Sequence, residues 1–316
     1  HQHRGQARAL LPEGRQSSMK FSRNFKYAAL VSAVIILCGV IAAAVWGVNI
    51  GVDFSGGTLL TLDMGGPFDV ADVTAALEKA GVTDAPVMKS GASGSAQTQA
   101  VVRMKAFADE EAENEARQKI VEALSEKYPD VEIATVDRVG AVASADLVKS
   151  AILCVVIACG LILVYIWIRF ELWSGIAAVV MLLHDVAIML ALTIILRVQI
   201  NSPFIAAVLT IVGYSINNTI VIFDRVRENG KFKSKKHYVL TEELVDTSVR
   251  ESLSRSVNTT ITTLITIVAL YVLGVDSIKE FALPIIIGLI AGTYSSILMA
   301  APFWGFLAGK RRAGAR

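Results

Sequence analysis

The sequence predicts a six-helix membrane bundle with a small α+β domain inserted after its first span. Three observations carry that prediction. Six apolar runs are each long enough to cross a bilayer, one long polar block separates the first run from the second, and positive charge recurs on alternate connections only. At 54% hydrophobic and 18% charged over 316 residues, with a mean hydropathy of +0.56, the chain is too apolar for an ordinary soluble domain.

The net charge of +2 conceals a segregation. From Val48 to Asp146, eight Lys and Arg stand against seventeen Asp and Glu, a net of −9 that leaves +11 for the remainder. The remaining cations flank apolar runs and do not cluster on a folded face, which excludes the basic footprint of a nucleic-acid binder. Cys38, Cys154 and Cys159 all lie in apolar runs, so neither a disulfide framework nor a zinc site is implied. With no nucleophile beside a base, no Walker sequence and no ligand cluster, the chain is expected to be neither an enzyme nor a carrier of a metal or cofactor.

Taken in order, residues 1–26 form a polar segment expected to be cytoplasmic; Met19 suits a translation start, which sets residues 1–18 apart as added or linker sequence. Lys20, Arg23 and Lys26 precede the first span, residues 27–48, and place its start in the cytoplasm. Ala42 to Ala44 would suit a signal peptidase, but the apolar core exceeds the usual ~7–15 residues of a cleaved signal.

Residues 49–146 form the inserted domain. Periodicity and breakers predict a strand at Thr58–Met64, a helix at Val70–Ala80 closed by Gly81, a strand at Ala85–Lys89, a turn at Gly91–Ser95, a strand at Thr98–Lys105, a helix at Asp109–Tyr128 stopped by Pro129, and a strand at Val131–Asp137. That order is ferredoxin-like, a fold shared by many unrelated functions.

Residues 147–308 hold five further spans: Leu147–Ile168, Gly175–Leu196, Phe204–Phe223, Val257–Leu273 and Phe281–Leu307. Arg169, the cation-rich loop 224–256 and the tail 309–316 with Lys310, Arg311 and Arg312 mark the cytoplasmic side. Both termini are thus expected inside and the inserted domain outside. Within the long loop, Tyr238–Leu253 has helical apolar spacing and is predicted to lie along the cytoplasmic face.

Polar groups inside the spans are functional candidates. His184 and Asp185 fall near the middle of the third span, where an ionised carboxylate costs at least ~2.5–3.5 kcal/mol. Either a hydroxyl or amide on a neighbouring helix holds Asp185 permanently, or its protonation changes during a cycle. The fourth span places Asn217 and Asn218 deep in hydrocarbon, as helix glue or as part of an ion pathway, and offers Ser215 as a further hydrogen-bonding group. Gly213 is expected to admit a neighbouring helix, and Asp224, Arg225 and Arg227 mark the exit to the surface. Arg255 enters the fifth span beside Thr259, Thr260, Thr262, Thr263 and Thr266; taken alone, it reads as a snorkelling helix-end cation. Asp53, Gly56 and Gly57 suit a hinge between span and domain, and Gly288 with Gly292 suits close helix packing.

Three segments carry a resemblance. GYSIN-x-TIVIFDRVREN from Gly213 to Asn229, VDFSGGT from Val52 to Thr58, and SLSRSVNTTITTL from Ser252 to Leu264 resemble the SecF family of the resistance-nodulation-division superfamily, and with the order of spans the likeness runs from about residue 25 to 309. The resemblance implies a multi-pass inner-membrane subunit that works with SecD, uses an ion gradient to promote export of a translocating polypeptide through the SecYEG translocon, and meets YajC and YidC. It also implies that position 218 and Arg255 take part in moving ions, and it places the His184–Asp185 pair where relatives carry the same pair. Where the family usually has Asp, this chain has Asn218, whose amide cannot titrate. The missing carboxylate then comes from elsewhere, such as Asp185 or SecD, or the ion is Na⁺ held by oxygens. Two further readings stay open: half of a small-molecule or lipid exporter of the same superfamily, and a non-conducting structural partner of SecD.

Overall fold

The computed structural model describes residues 21–83, 85–90, 98–233, 240–274 and 276–314. The segment 1–18, Lys20, the turn Gly91–Ser95, and Lys235 and Lys236 lie outside them. Among the described residues, six helical segments are long and apolar enough to cross a membrane: Ser22–Trp46, Val142–Arg169, Leu172–Ile195, Ser202–Lys231, Glu242–Leu273 and Ile278–Ala308.

The first of these is α1 (Phe21–Trp46). A short turn of helix, α2 (Val52–Ser55), leads into the inserted domain: β1 (Gly57–Asp63), α3 (Val70–Lys79), β2 (Val87–Ser90), β3 (Gln99–Met104), α4 (Glu110–Ser125) and β4 (Glu132–Val139). Its strands form one antiparallel sheet in the order β2-β3-β1-β4. Alternation explains the packing. Leu60 and Leu62 of β1 and Ala100, Val102 and Met104 of β3 point to one face, where they meet Val73 and Leu77 of α3 and Ile120 and Leu124 of α4. Asp69 and Asp109 accept hydrogen bonds from Ala71 N and Ala112 N, capping α3 and α4 as their sequence positions suggest.

The remaining spans are α5 (Ala141–Arg169), α6 (Leu172–Ile195), α7 (Ser202–Lys233), α8 (Glu242–Leu273) and α9 (Asp276–Ser295), the last passing through a π-helical turn at Ser296–Ala300 into α10 (Ala301–Gly314). Of the segment expected to lie along the membrane face, Tyr238 and Val239 lie outside the described residues, and from Glu242 on it forms the first turns of α8. Thr241 accepts from Leu244 N as its cap, Glu242 and Glu243 favour the helix start, and no Gly or Pro interrupts the chain before Gly274. The apolar stripe of Leu244, Val245 and Val249 is buried, the two valines in one core with Val226 of α7, so it serves the bundle.

Helix α7 is the hub. Against α9 it runs parallel in a fixed register: Ile211 lies against Gly288, Ser215 against Gly292, and Thr219 Oγ1 bonds Ser296 Oγ at 3.1 Å. Against α8 it runs antiparallel, tied by Tyr214 to Thr263 (3.0 Å), Arg225 to Glu251 (2.7 Å) and Asn229 to Ser248 (3.0 Å). Helices α1, α5 and α8 turn large apolar side chains outward, among them Leu30, Ile152 and Ile265, as lipid-facing helices do.

Candidate functional site

Asp185, on α6, is fully buried. Three groups from three helices surround its carboxyl. Ser215 Oγ of α7 donates to Oδ2 at 2.5 Å, Ser295 Oγ of α9 donates to the same oxygen at 2.9 Å, and His184 Nδ1 lies 2.9 Å from Oδ1. Hydrogen bonds to a charged group are worth about 1.5–3 kcal/mol each, enough together to offset the cost of an ionised carboxyl at this depth.

The glycines make this approach possible. A Cβ on Gly292 would lie 3.4 Å from Ser215 Cβ and 3.5 Å from Asp185 Oδ2, and one on Gly288 would lie 2.4 Å from Ile211 Cγ1. Both glycines therefore bring α9 against α7 within this chain.

The imidazole is incompletely satisfied. His184 Nε2 is buried and has no hydrogen-bond partner among the described residues. Nδ1 donates to Oδ1 when the ring carries that proton, and a protonated Asp185 reverses the bond. Among the described residues no group of three or more His, Cys, Asp or Glu is placed to hold a metal ion.

Asn218 is buried, yet its amide makes no hydrogen bond to another described residue. The α7–α8 register sets it level with Thr259, and Arg255 one turn further on, level with Ile222. Arg255 is exposed and lines a cleft of about 570 Å³ with Val221, Asp224, Arg225 and Glu251. It forms no ion pair with a described residue, and neither it nor Asn218 bonds the other. Gly213 and Asn217 lie one turn apart on the exposed face of α7, and nothing lies within 4 Å of a Cβ built on Gly213. Among the described residues no helix packs against Gly213.

Asp224 and Arg225 sit in a surface network. Asp224 is 3.3 Å from Arg227 and 3.9 Å from Arg169, while Arg225 pairs with Glu228 and Glu251, each at 2.7 Å. Asp53 is tied to the membrane helices: its Oδ2 accepts from Ser202 N at 2.9 Å, placing an anion on the positive end of α7. Gly56 and Gly57 have φ of 71° and 138°, and a Cβ on Gly57 would meet Met104 O at 2.4 Å, so the turn into β1 requires glycine there.

Sequence reasoning singles out Asp185 and His184 but not Ser295 or the Thr219–Ser296 pair. A serine pair inside the apolar last span, three residues past Gly292, is the signal that identifies them.

The whole chain can now be set beside known proteins. The family model described as protein export membrane protein SecD/SecF, C-terminal, matches residues 119–310. The protein translocase subunit SecF of Desulfurispirillum indicum is 36% identical over 283 residues, covering 89% of both chains, and that of Cereibacter sphaeroides is 36% identical, covering 85% of this chain and 83% of its own. The crystal structure of SecDF from Thermus thermophilus, a translocon-associated membrane protein, superposes with a TM-score of 0.77 at 32% identity, over 92% of this chain and 38% of that longer one. Six apolar helices, an inserted sheet domain and likeness along nearly the full length agree: the chain belongs to the SecD/SecF family of protein export membrane proteins, on its SecF branch.

Proposed function

We propose that this chain is a SecF-type subunit of the Sec protein-export machinery, working with SecD to draw exported polypeptides across the membrane at the expense of an ion gradient. The observation that carries the reading is Asp185: a buried carboxyl gripped by hydroxyls from two other helices and in hydrogen-bond contact with His184. One charge moved through 100 mV yields about 2.3 kcal/mol, and a titrating carboxyl linked to helix packing can turn that into motion. Asn218 supplies no proton here, so the proton passes through Asp185, with Arg255 and Asn217 on the α7–α8 side facing SecD.

The charge segregation supports an inner-membrane topology with both termini cytoplasmic and the domain 49–146 outside. The strand order β2-β3-β1-β4, with α3 and α4 on one face, supports a ferredoxin-like domain. Membership of the family supports the reading that the chain works with SecYEG, YajC, YidC and the translocating polypeptide, and that it transports without enzymatic chemistry.

The test is Asp185→Asn, expressed with SecD in cells lacking the native pair. The amide keeps the shape and loses the titration. Export stimulated by the gradient is expected to fall at least about tenfold, with the variant assembled at its normal level. Full export would make Asp185 structural and favour the scaffold reading.

A further inference from the structure

The first turns of α7 and α9 lie beside the sheet domain, and one side chain of that domain acts on both. Along β3, Ala100, Val102 and Met104 face the helices of the sheet domain, so alternation turns Arg103 the other way. Its Nη2 donates to Gln199 Oε1 in the connection leading into α7, where Gln199 is itself buried. The two anions that act on the guanidinium are Glu280, on α9, and Asp53, on α2; both raise an Arg103 pKa that burial, the larger effect, pushes down.

Each anion is tied to a helix end. Asp53 caps α7 through Ser202 N, and Glu280 accepts from Asn201 Nδ2 at 2.6 Å while Asn201 Oδ1 accepts from Phe204 N at 3.1 Å.

We propose that Arg103 is a positioning residue that couples the sheet domain to the Asp185 site through α7 and α9. Ser215 lies 13 residues from Ser202, roughly 20 Å along α7, and Ser295 lies 15 residues from Glu280, roughly 22 Å along α9. The helices are parallel and in contact without a gap at Gly288 and Gly292, so a shift of one is passed to the other, with Pro284, one turn past Glu280, as the place where α9 can bend. While Arg103 is seated, its charge holds the anion at the head of α7 and the anion on α9 together. Withdrawing it leaves Asp53 and Glu280 facing each other with one cation fewer, which spreads the two helices and loosens the paired serines on Asp185.

Two features fit a seat that empties. Arg103 Nε is buried without a hydrogen-bond partner among the described residues, so the seated state is only partly satisfied. Arg103 also borders a cleft of about 1080 Å³ between the sheet domain and the membrane helices, with Asn49, Glu78, Lys105 and Arg197 around it, which gives the domain room to swing. Linkage makes the coupling reciprocal: a change of proton on Asp185 must alter how firmly Arg103 is held.

The inference rests on the ion-coupling reading of Asp185, and its test reads the site apart from export. In membranes holding the assembled complex with SecD, the rate of carbodiimide modification of Asp185 is followed by mass spectrometry in Arg103→Met, in Glu280→Gln and in the charge exchange Arg103→Glu with Glu280→Arg. Either single change is expected to alter that rate at least about fivefold and lower export, and the exchange to bring both back towards the unmodified protein. Rates within about twofold in both single variants overturn the coupling, whatever export does. If Arg103→Met fails to accumulate, Glu280→Gln, which alters one helix-end side chain outside the sheet domain, decides alone. Should Asp185→Asn leave export intact, the ion-coupling reading falls, and the modification rates still report whether Arg103 reaches the α7–α9 pair.

Discussion

Ser215 and Ser295, on different helices, donate to the same carboxylate oxygen, Asp185 Oδ2, at 2.5 and 2.9 Å. One oxygen therefore clamps α7 to α9, while the other faces His184 on its own helix. Protonating the carboxyl takes away an acceptor site and the charge that strengthens both bonds. In the proposed function the clamp is a switch, because its strength would follow a single proton.

Removing the donors tests the clamp directly. Ser215→Ala and Ser295→Ala are each expected to lower thermal stability in detergent by about 1.5–3 kcal/mol, the worth of a hydrogen bond to a charged group. The pair should lose more than the sum of the two, because in each single variant the remaining donor still serves the shared oxygen and in the pair none does. Calorimetry of the three variants, with export measured alongside, checks this; strict additivity would mean that the serines act independently.

Helix contact at Gly288 leaves no room for a methyl group. A Cβ there falls 2.4 Å from Ile211 Cγ1, whereas one on Gly292 falls 3.4 Å from Ser215 Cβ. Gly288→Ala should therefore cost about 1–3 kcal/mol and Gly292→Ala less, and Ile211→Ala should restore part of the first loss. Thermal unfolding of the purified variants gives the order; equal costs would contradict the close approach.

Restoring the family's residue at position 218 separates the two ion routes. Asn218 is buried without a hydrogen bond to a described residue, so Asn218→Asp breaks no bond of the structure. The variant should accumulate normally and keep or raise proton-driven export, and export by the unmodified protein should need no Na⁺. A Na⁺ requirement in the original that disappears in Asn218→Asp would assign the site to sodium held by amide and hydroxyl oxygens.

Much of the architecture is legible in the sequence because membrane helices announce themselves by length and composition. Four of the five later apolar runs fall within a helical segment; the run Gly175–Leu196 passes the end of α6 by one residue, and the first run passes the end of α1 by two. The helices overrun their apolar segments: α7 continues past Phe223 to Lys233 because Arg225 with Glu228, and Arg227 with Asp224, support its polar turns. The segment Tyr238–Leu253 misleads, since an amphipathic stripe looks the same whether it faces a membrane surface or a neighbouring helix.

For the site, Asp185 stands out as a carboxyl where hydrocarbon should be, and His184 comes with it. Ser295 does not stand out, because which serine of an apolar helix faces inward depends on the α7–α9 register, and that register is a tertiary fact set by Gly288 and Gly292. Asp53 reads as a hinge in sequence and proves to be the cap of a helix that begins 149 residues later. Arg103 carries no local signal at all; its partners, Gln199 and the anions Asp53 and Glu280, come from three separate stretches of chain.

In the proposed function Asp185 takes up and releases a proton while its helices stay packed. Infrared difference spectroscopy of the complex with SecD, reconstituted in lipid and stepped between about pH 9 and about pH 5, reads that event as a carboxyl C=O band. A band is expected that appears on acidification, is absent from Asp185→Asn, and shifts in Ser215→Ala and Ser295→Ala as the hydrogen bonds to Oδ2 are lost. Difference spectra that superimpose for the original protein and Asp185→Asn over the whole range would contradict it.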